Sequence, residues 1–381
     1  MLSFNSLFAF GSFDGSTLRI TKSFSVECET ESTAGCTVLS LLSSYNGKNA
    51  PKIQLFLTVS GQEKPLYASH VYRVGKACDY TRNEWRVPPS FLPNMSLTVH
   101  IEIPSGTELF VKAFGMSRDF PRCELNSGLR HNAHLGFWGL APDNTMPAFE
   151  LAAACGFPAC IVVPKVTADG VFVCIHDDTI NKTARDKGGN APAEPIYVWD
   201  KTYRELCEWE YGSYKNPIYK GTRIPLLSDF FDLCAKVGMM PMFSTHPGLT
   251  TEQWKEVKEM LSKRGLLKKF HVKSFHIDIL KTAYSVLGTD IDGYTFDVGK
   301  WQDSHIDALL NSGIDVKACR VGIEVDFHNY TEQIAKAIRD AGLFASAWNI
   351  WHRDFEEYER LIAWGVTEFT EDYHCSMGLN Y

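Results

Sequence analysis

Two histidines are the side chains of this 381-residue chain best suited to move protons at neutral pH: His134 in HNAHLGFWGLAPDNT (131–145) and His176 in VCIHDDT (173–179). Imidazole titrates at about pH 6.5, so one ring can take a proton while a second gives one. Between them runs ACIVVPKVTADG (159–170), where Ile161, Val163 and Lys165 fall on alternate positions. In a regular strand those three share a face, and Lys165 sets an ammonium at its end.

Groups so far apart in sequence need a scaffold to bring them together. From Arg130 onward the segments NAHLGF, ACIVVPK, MMPMFST, KFHVKSF, IDGYTFDV, DVKACRVG, LFASAWNI and VTEFTED read as short apolar strands. Helical stretches such as EQWKEVKEMLSKRG, YTEQIAKAIRDAG and DFEEYERLIAWG lie between them, which predicts parallel strands joined by helical crossovers. Eight strands in about 250 residues match a closed (β/α)8 TIM barrel, whose reactive groups stand at the C-terminal strand ends. Those ends carry His134, Lys165, Ser244 to His246, Ser274 to His276, Asp297, Arg320, Trp348 to Trp351, and Glu371 with Asp372.

Residues 1–122 have a different grammar. TLRITKSFSVEC, GCTVLSLLSSY, KIQLFLTVSG, SLTVHIEIPSG and TELFVKAFG are β-branched and aromatic runs broken by Gly, Asn, Pro and Ser, the pattern of an antiparallel β-sandwich or jelly roll. The expected organisation is therefore a sandwich over 1–122 followed by a barrel over 123–381. The sandwich is a candidate for contacting carbohydrate or a protein partner, with Trp85, Tyr67, Tyr72 and Tyr80 as the sugar-stacking candidates and core packing as the alternative.

Composition excludes several classes. The chain is 45% hydrophobic and 22% charged with a net charge of -7, which describes an ordinary globular protein without the basic stripe of a nucleic-acid binder. No apolar run is long enough to cross a bilayer. The N-terminus lacks the positive region of a signal peptide, and the 11 cysteines are scattered without metal-like spacing. A cytoplasmic location is expected, with non-classical export as the alternative.

Several separated motifs add a more specific reading. His134-Leu135-Gly136 followed by Pro142-Asp143-Asn144-Thr145, then Thr167-Ala168-Asp169-Gly170, Ile175-His176-Asp177-Asp178-Thr179, Ile224-Pro225-Leu226-Leu227, Ser274-Phe275, Ala347-Trp348-Asn349 and Thr370-Glu371-Asp372 keep an order and spacing over about residues 130–375 that resembles the glycerophosphodiester phosphodiesterase family. The resemblance implies a phospholipase C-like barrel in which His134 and His176 form the acid/base pair that cleaves a phosphodiester. The carboxylates that hold the family's divalent metal fall at Asp143, Ile161, Val163 and Ser244, so one of the four survives. The family's arginine after the first histidine falls at Leu135, and its third-strand lysine at His246.

A hard cation needs several oxygen ligands at once, and Asp143 alone does not supply them. No cofactor is therefore expected. The alternative is weak binding of Ca²⁺, Mg²⁺ or Zn²⁺, the last through His134, His176, His246 and Asp143. The positive charge that a phosphate requires is then assigned to Lys165, Arg320 or protonated His246, and Trp348, with Trp138 and Trp351, to the pocket wall. Asp177 is expected to orient a histidine or cap a turn, and His131 to be structural. The expected activity is cleavage of a small or polymeric phosphodiester, such as a glycerophosphodiester or related polyol phosphodiester. The competing reading is a catalytically inactive barrel that binds a phosphorylated or carbohydrate ligand.

Overall fold

The computed structural model describes residues 2–29, 36–60, 65–69, 71–87, 95–119, 128–246, 248–350 and 355–371. Trp351 and Asp372, both assigned to strand ends above, lie outside them. The chain divides into two compact units, one built on residues up to Pro121 and the other beginning at Arg122. The second unit is not one continuous run, because residues 355–359 group with the first.

Among the described residues the first unit holds two sheets, one of six strands and one of five, paired almost wholly antiparallel. Along Met95–Glu102 each apolar side chain that points inward is followed by one that is part-exposed, the alternation that half-buried strands require. Trp85 and Tyr72 are at most 3% exposed, so they are core residues rather than sugar-stacking surfaces. Tyr80 carries the Lys112 ammonium 3.9 Å above its ring.

The second unit is a closed barrel of eight parallel strands: Arg130–Ala133, Ala159–Val162, Met240–Ser244, His271–Ser274, Gly293–Val298, Arg320–Asp326, Phe344–Ile350 and Glu368–Glu371. Each is buried on both faces, which is why these strands read as near-continuous apolar runs. The ring closes between first and eighth strands, where Arg130 to Ala133 pair with Glu368 to Glu371. Helices such as Leu227–Val237 and Thr251–Lys263 start on Leu226 and Thr250, the latter closing a capping box with Gln253.

Two polar layers fill much of the lumen. At the N-terminal end, Arg130 donates to Asp292 at 2.8 Å, His271 sits 2.8 Å from the same carboxylate, and Arg320 pairs with Glu368. Burial drives the His271 imidazole down to about 4, so it is neutral in the fold. Higher up, Lys273 meets Glu324 and lies 3.6 Å from Asp297, while Ser346 and Thr370 donate to Glu324 at 2.8 and 2.6 Å. Burial first, opposed by the Lys273 charge and aided by the neighbouring Glu324, pushes the Asp297 carboxyl well up. The part of the lumen walled by the second and third strands is apolar instead, with Leu135, Ala159, Ile161, Val163, Met240 and Met242 packed as one buried cluster.

The second strand does not continue as a single ribbon. It leaves the barrel after Val162, and Pro164–Val166 pairs antiparallel with Phe172–Cys174 to make a small hairpin. That hairpin carries Lys165 and leads into His176, and the irregular segment after it packs its own small core around Ile180, Val198, Leu206 and Tyr211.

Candidate active site

His134 follows the first strand directly, and its backbone N–H donates to the carbonyl of Glu371 at 2.9 Å, which fixes its height at the barrel's C-terminal end. The chain then turns sharply. Leu135 at φ 55 and Gly136 at φ 82 both occupy the left-handed region, and a Cβ on Gly136 would meet the Cβ of Ala148 at 2.6 Å. This turn lets the ring of Trp138 stand edge-on to His134, with centroids 5.7 Å apart. Asn144, also left-handed at φ 52, accepts the N–H of Val163 at 2.9 Å and so ties this loop to the end of the second strand.

His176 leaves the hairpin half-exposed. Its Nδ1 lies 2.7 Å from Asp177 Oδ1. An ionised carboxylate can only accept, so Nδ1 carries a proton, and in the neutral form of the ring Nε2 is left with a lone pair. This hydrogen bond, opposed by burial and aided by the nearby charge of Lys182, holds the Asp177 carboxyl below the usual carboxylate range. On its other side His176 meets His246 edge-to-face at 5.2 Å. Burial, then the charges of His176 and Lys165, lower His246, which disfavours the protonated form that was one of the cations suggested by the sequence.

Lys165 is 2% exposed at its side chain and donates to Asp178 at 2.7 Å and to the carbonyl of His246 at 2.9 Å. Burial lowers it, with Asp178 opposing. The ammonium is thus engaged in tying the hairpin to the loop after the third strand, rather than open to a substrate. Arg320 corrects a second expectation. It opens the sixth strand instead of ending it, and sits at the N-terminal end against Glu368, away from His134 and His176. Trp348 lies near the C-terminal end of the seventh strand, half-buried, with Phe275 edge-on at 5.8 Å. His131 is buried against Glu371 and stacks on Phe369, a structural position.

The donor set does not suit the divalent cation that the resemblance implies. Ile161 and Val163, each 1% exposed, belong to the apolar cluster with Leu135. The Asp143 carboxylate accepts the Tyr214 hydroxyl, and the Tyr214 hydroxyl oxygen in turn accepts the Asp143 N–H at 3.0 Å. Burial, and next the charge of Asp143, push the Tyr214 phenol up, so it remains a donor. Among the described residues no group of three or more His, Cys, Asp or Glu side chains is arranged to hold a metal.

Sequence reasoning missed three neighbours of this face. Tyr214 is one. The others are Lys182 and Lys215, whose ammonium groups lie 5.9 and 5.5 Å from the centre of the Trp138 ring. All three come from the irregular segment after the hairpin, where no periodicity marks them and only the fold brings them to Trp138.

Comparison with known proteins agrees with this architecture. Residues 134–374 match the model of the glycerophosphoryl diester phosphodiesterase family. The putative glycerophosphodiester phosphodiesterase YhdW of Bacillus subtilis is 33% identical over 116 residues, which are 30% of this chain and 44% of that protein. The glycerophosphodiester phosphodiesterase of Bacillus altitudinis is 28% identical over 206 residues, 51% of this chain and 78% of that one. Among solved structures, an Oleispira antarctica phosphodiesterase in complex with the product sn-glycerol-3-phosphate superposes with a TM-score of 0.56 at 21% identity, covering 65% of this chain and 94% of its own. A Silicibacter pomeroyi structure described as a putative glycerophosphoryl diester phosphodiesterase gives 0.56 at 22%, covering 66% and 92%. With a family model spanning well over half its length, the chain belongs to the glycerophosphoryl diester phosphodiesterase family, a family of phosphoric diester hydrolases.

Proposed function

We propose that this protein cleaves glycerophosphodiesters, or related polyol phosphodiesters, with His134 and His176 as the acid/base pair and without the family's metal. The observation that carries the reading is the His176–Asp177 hydrogen bond of 2.7 Å, which fixes the tautomer a general base needs. His176 Nε2 takes the proton of the attacking hydroxyl, and His134 gives one to the departing oxygen. Attack by a hydroxyl of the substrate yields a cyclic phosphate; attack by water yields the monoester. Lys165 acts as a positioning residue that holds the loops of Asp178 and His246, and Trp348 walls the pocket.

The test is an assay of the purified protein on glycerophosphocholine, glycerophosphoglycerol and glycerophosphoinositol in the presence of chelator. Turnover that survives chelator and falls at least about 100-fold in His134→Ala and in His176→Ala supports the reading. Activity that requires added Ca²⁺, Mg²⁺ or Zn²⁺ would sink the metal-free part.

One observation favours the second reading, a non-catalytic barrel that binds a phosphorylated ligand. The apolar cluster of Leu135, Ile161 and Val163 occupies the positions that bear charge in the family. Binding of sn-glycerol 3-phosphate with no turnover of any diester would establish that reading instead.

A further inference from the structure

A phosphodiester needs positive charge near its oxygens, and several cations of this barrel are engaged elsewhere. Lys165 is engaged by Asp178 and the His246 carbonyl, with a side chain 2% exposed. Arg320 lies at the opposite end of the barrel, on Glu368. Lys273 is inside the lumen between Glu324 and Asp297. Arg185 donates to the carbonyls of Lys182 and Ala184.

Lys182 and Lys215 stand beside Trp138. Lys182 is exposed and, among the described residues, forms no ion pair; its ammonium lies 5.9 Å from the Trp138 ring centre. Lys215 is half-buried, donates to the Trp138 carbonyl at 2.6 Å, and lies 5.5 Å from the same ring. Both therefore attach to one residue, and that residue's ring touches His134 at 5.7 Å. Lys182 also stands close enough to Asp177, the partner of His176, for its charge to be felt there. The two lysines thus border both proposed proton-transfer groups, one through Trp138 and the other through Asp177.

We infer that Lys182 and Lys215, set on the Trp138 ring, form the phosphate-binding site of this protein and supply the charge that its relatives draw from a metal. The inference rests on the proposed function for the role of the bound phosphate, but the binding site itself does not depend on turnover. The indole ring near both ammonium groups also suits the ligand's neutral portion, because it provides an apolar surface beside the cations that hold the anion.

The experiment is calorimetric titration of the full chain with sn-glycerol 3-phosphate and with inorganic phosphate, in chelator at low salt. The expected result is binding of both, weakened about tenfold in Lys182→Gln and largely retained in Lys182→Arg, since a hydrogen bond to a charged group is lost in the first and kept in the second. Lys215 also braces the Trp138 loop, so Lys215→Gln is read together with its far-UV spectrum, and Lys182→Gln decides. Wild-type affinity in Lys182→Gln overturns the inference, as does phosphate binding that appears only when Ca²⁺ or Mg²⁺ is added. If phosphate binds in a Lys182-dependent way and no diester is turned over, the inference stands and the proposed activity falls.

Discussion

Lys165 Nζ lies 2.7 Å from Asp178 Oδ1 and 2.9 Å from the carbonyl of His246, so one buried ammonium joins the hairpin off the second strand to the loop after the third. Because Asp178 is half-exposed at its side chain, it can regain water when its partner is removed. Lys165→Met should therefore cost only about 1–2 kcal/mol of stability in urea denaturation. It should weaken sn-glycerol 3-phosphate binding less than Lys182→Gln does. A larger loss of affinity in Lys165→Met would return Lys165 to the role of phosphate ligand.

Asp177 fixes the tautomer of His176, so Asp177→Asn should lower kcat by about 100-fold while leaving the protein folded. Groups that act as a unit are not additive. Adding His176→Ala to Asp177→Asn should therefore cost much less than it costs in the wild type, and full additivity in steady-state kinetics would separate the two residues.

His271 makes stability depend on pH. Its folded value of about 4 lies below the ordinary histidine value, so between the two the unfolded chain binds more protons than the folded one. Stability is fully present above pH of about 6.5 and falls as the pH drops toward 4, by up to roughly 3 kcal/mol. Urea midpoints at pH 7 and pH 5 should show the fall, and His271→Gln should flatten it.

Gly136 is required by both its backbone and its surroundings. At φ 82 a side chain is strained, and a Cβ would sit 2.7 Å from the carbonyl carbon of Ala148 as well as against its side chain. Gly136→Ala should destabilise by about 3 kcal/mol and disturb His134, two residues earlier, measurable as a lower urea midpoint together with reduced kcat.

Ile161→Glu would put a carboxylate into the apolar cluster. A loss of about 3 kcal/mol at pH 7 is expected, partly recovered at pH 5 where the glutamate can protonate, because burial raises its pKa. Thermal shift with and without Ca²⁺ checks the metal question at the same time. Restoration of stability by Ca²⁺ would show that enough oxygen donors surround this position to hold the ion.

The barrel was legible because its strands are buried on both faces and its helices are amphipathic, so apolar runs alternate with helical stretches on a period that survives without structure. The places of His134 just after the first strand and of His176 just after the hairpin were legible from their motif positions. Arg320 was misread because the sixth strand carries Glu324 inward into a charged lumen, and a strand with a buried carboxylate does not reveal its start from hydrophobicity. Lys182 and Lys215 were invisible for another reason. They stand in irregular chain well beyond Trp138 in sequence, and their relation to it exists only as tertiary contact.

Closure of the barrel also has a consequence in time. The strand that precedes His134 is held by the strand of Glu371, and the His131–Glu371 pair spans 240 residues. On a ribosome the first histidine of the site emerges early, yet the carbonyl that receives its backbone N–H is made among the last of the described residues. The nascent chain must therefore carry an unclosed ring, with the second and third strands free to associate first, and its chemistry is assembled only when the eighth strand arrives.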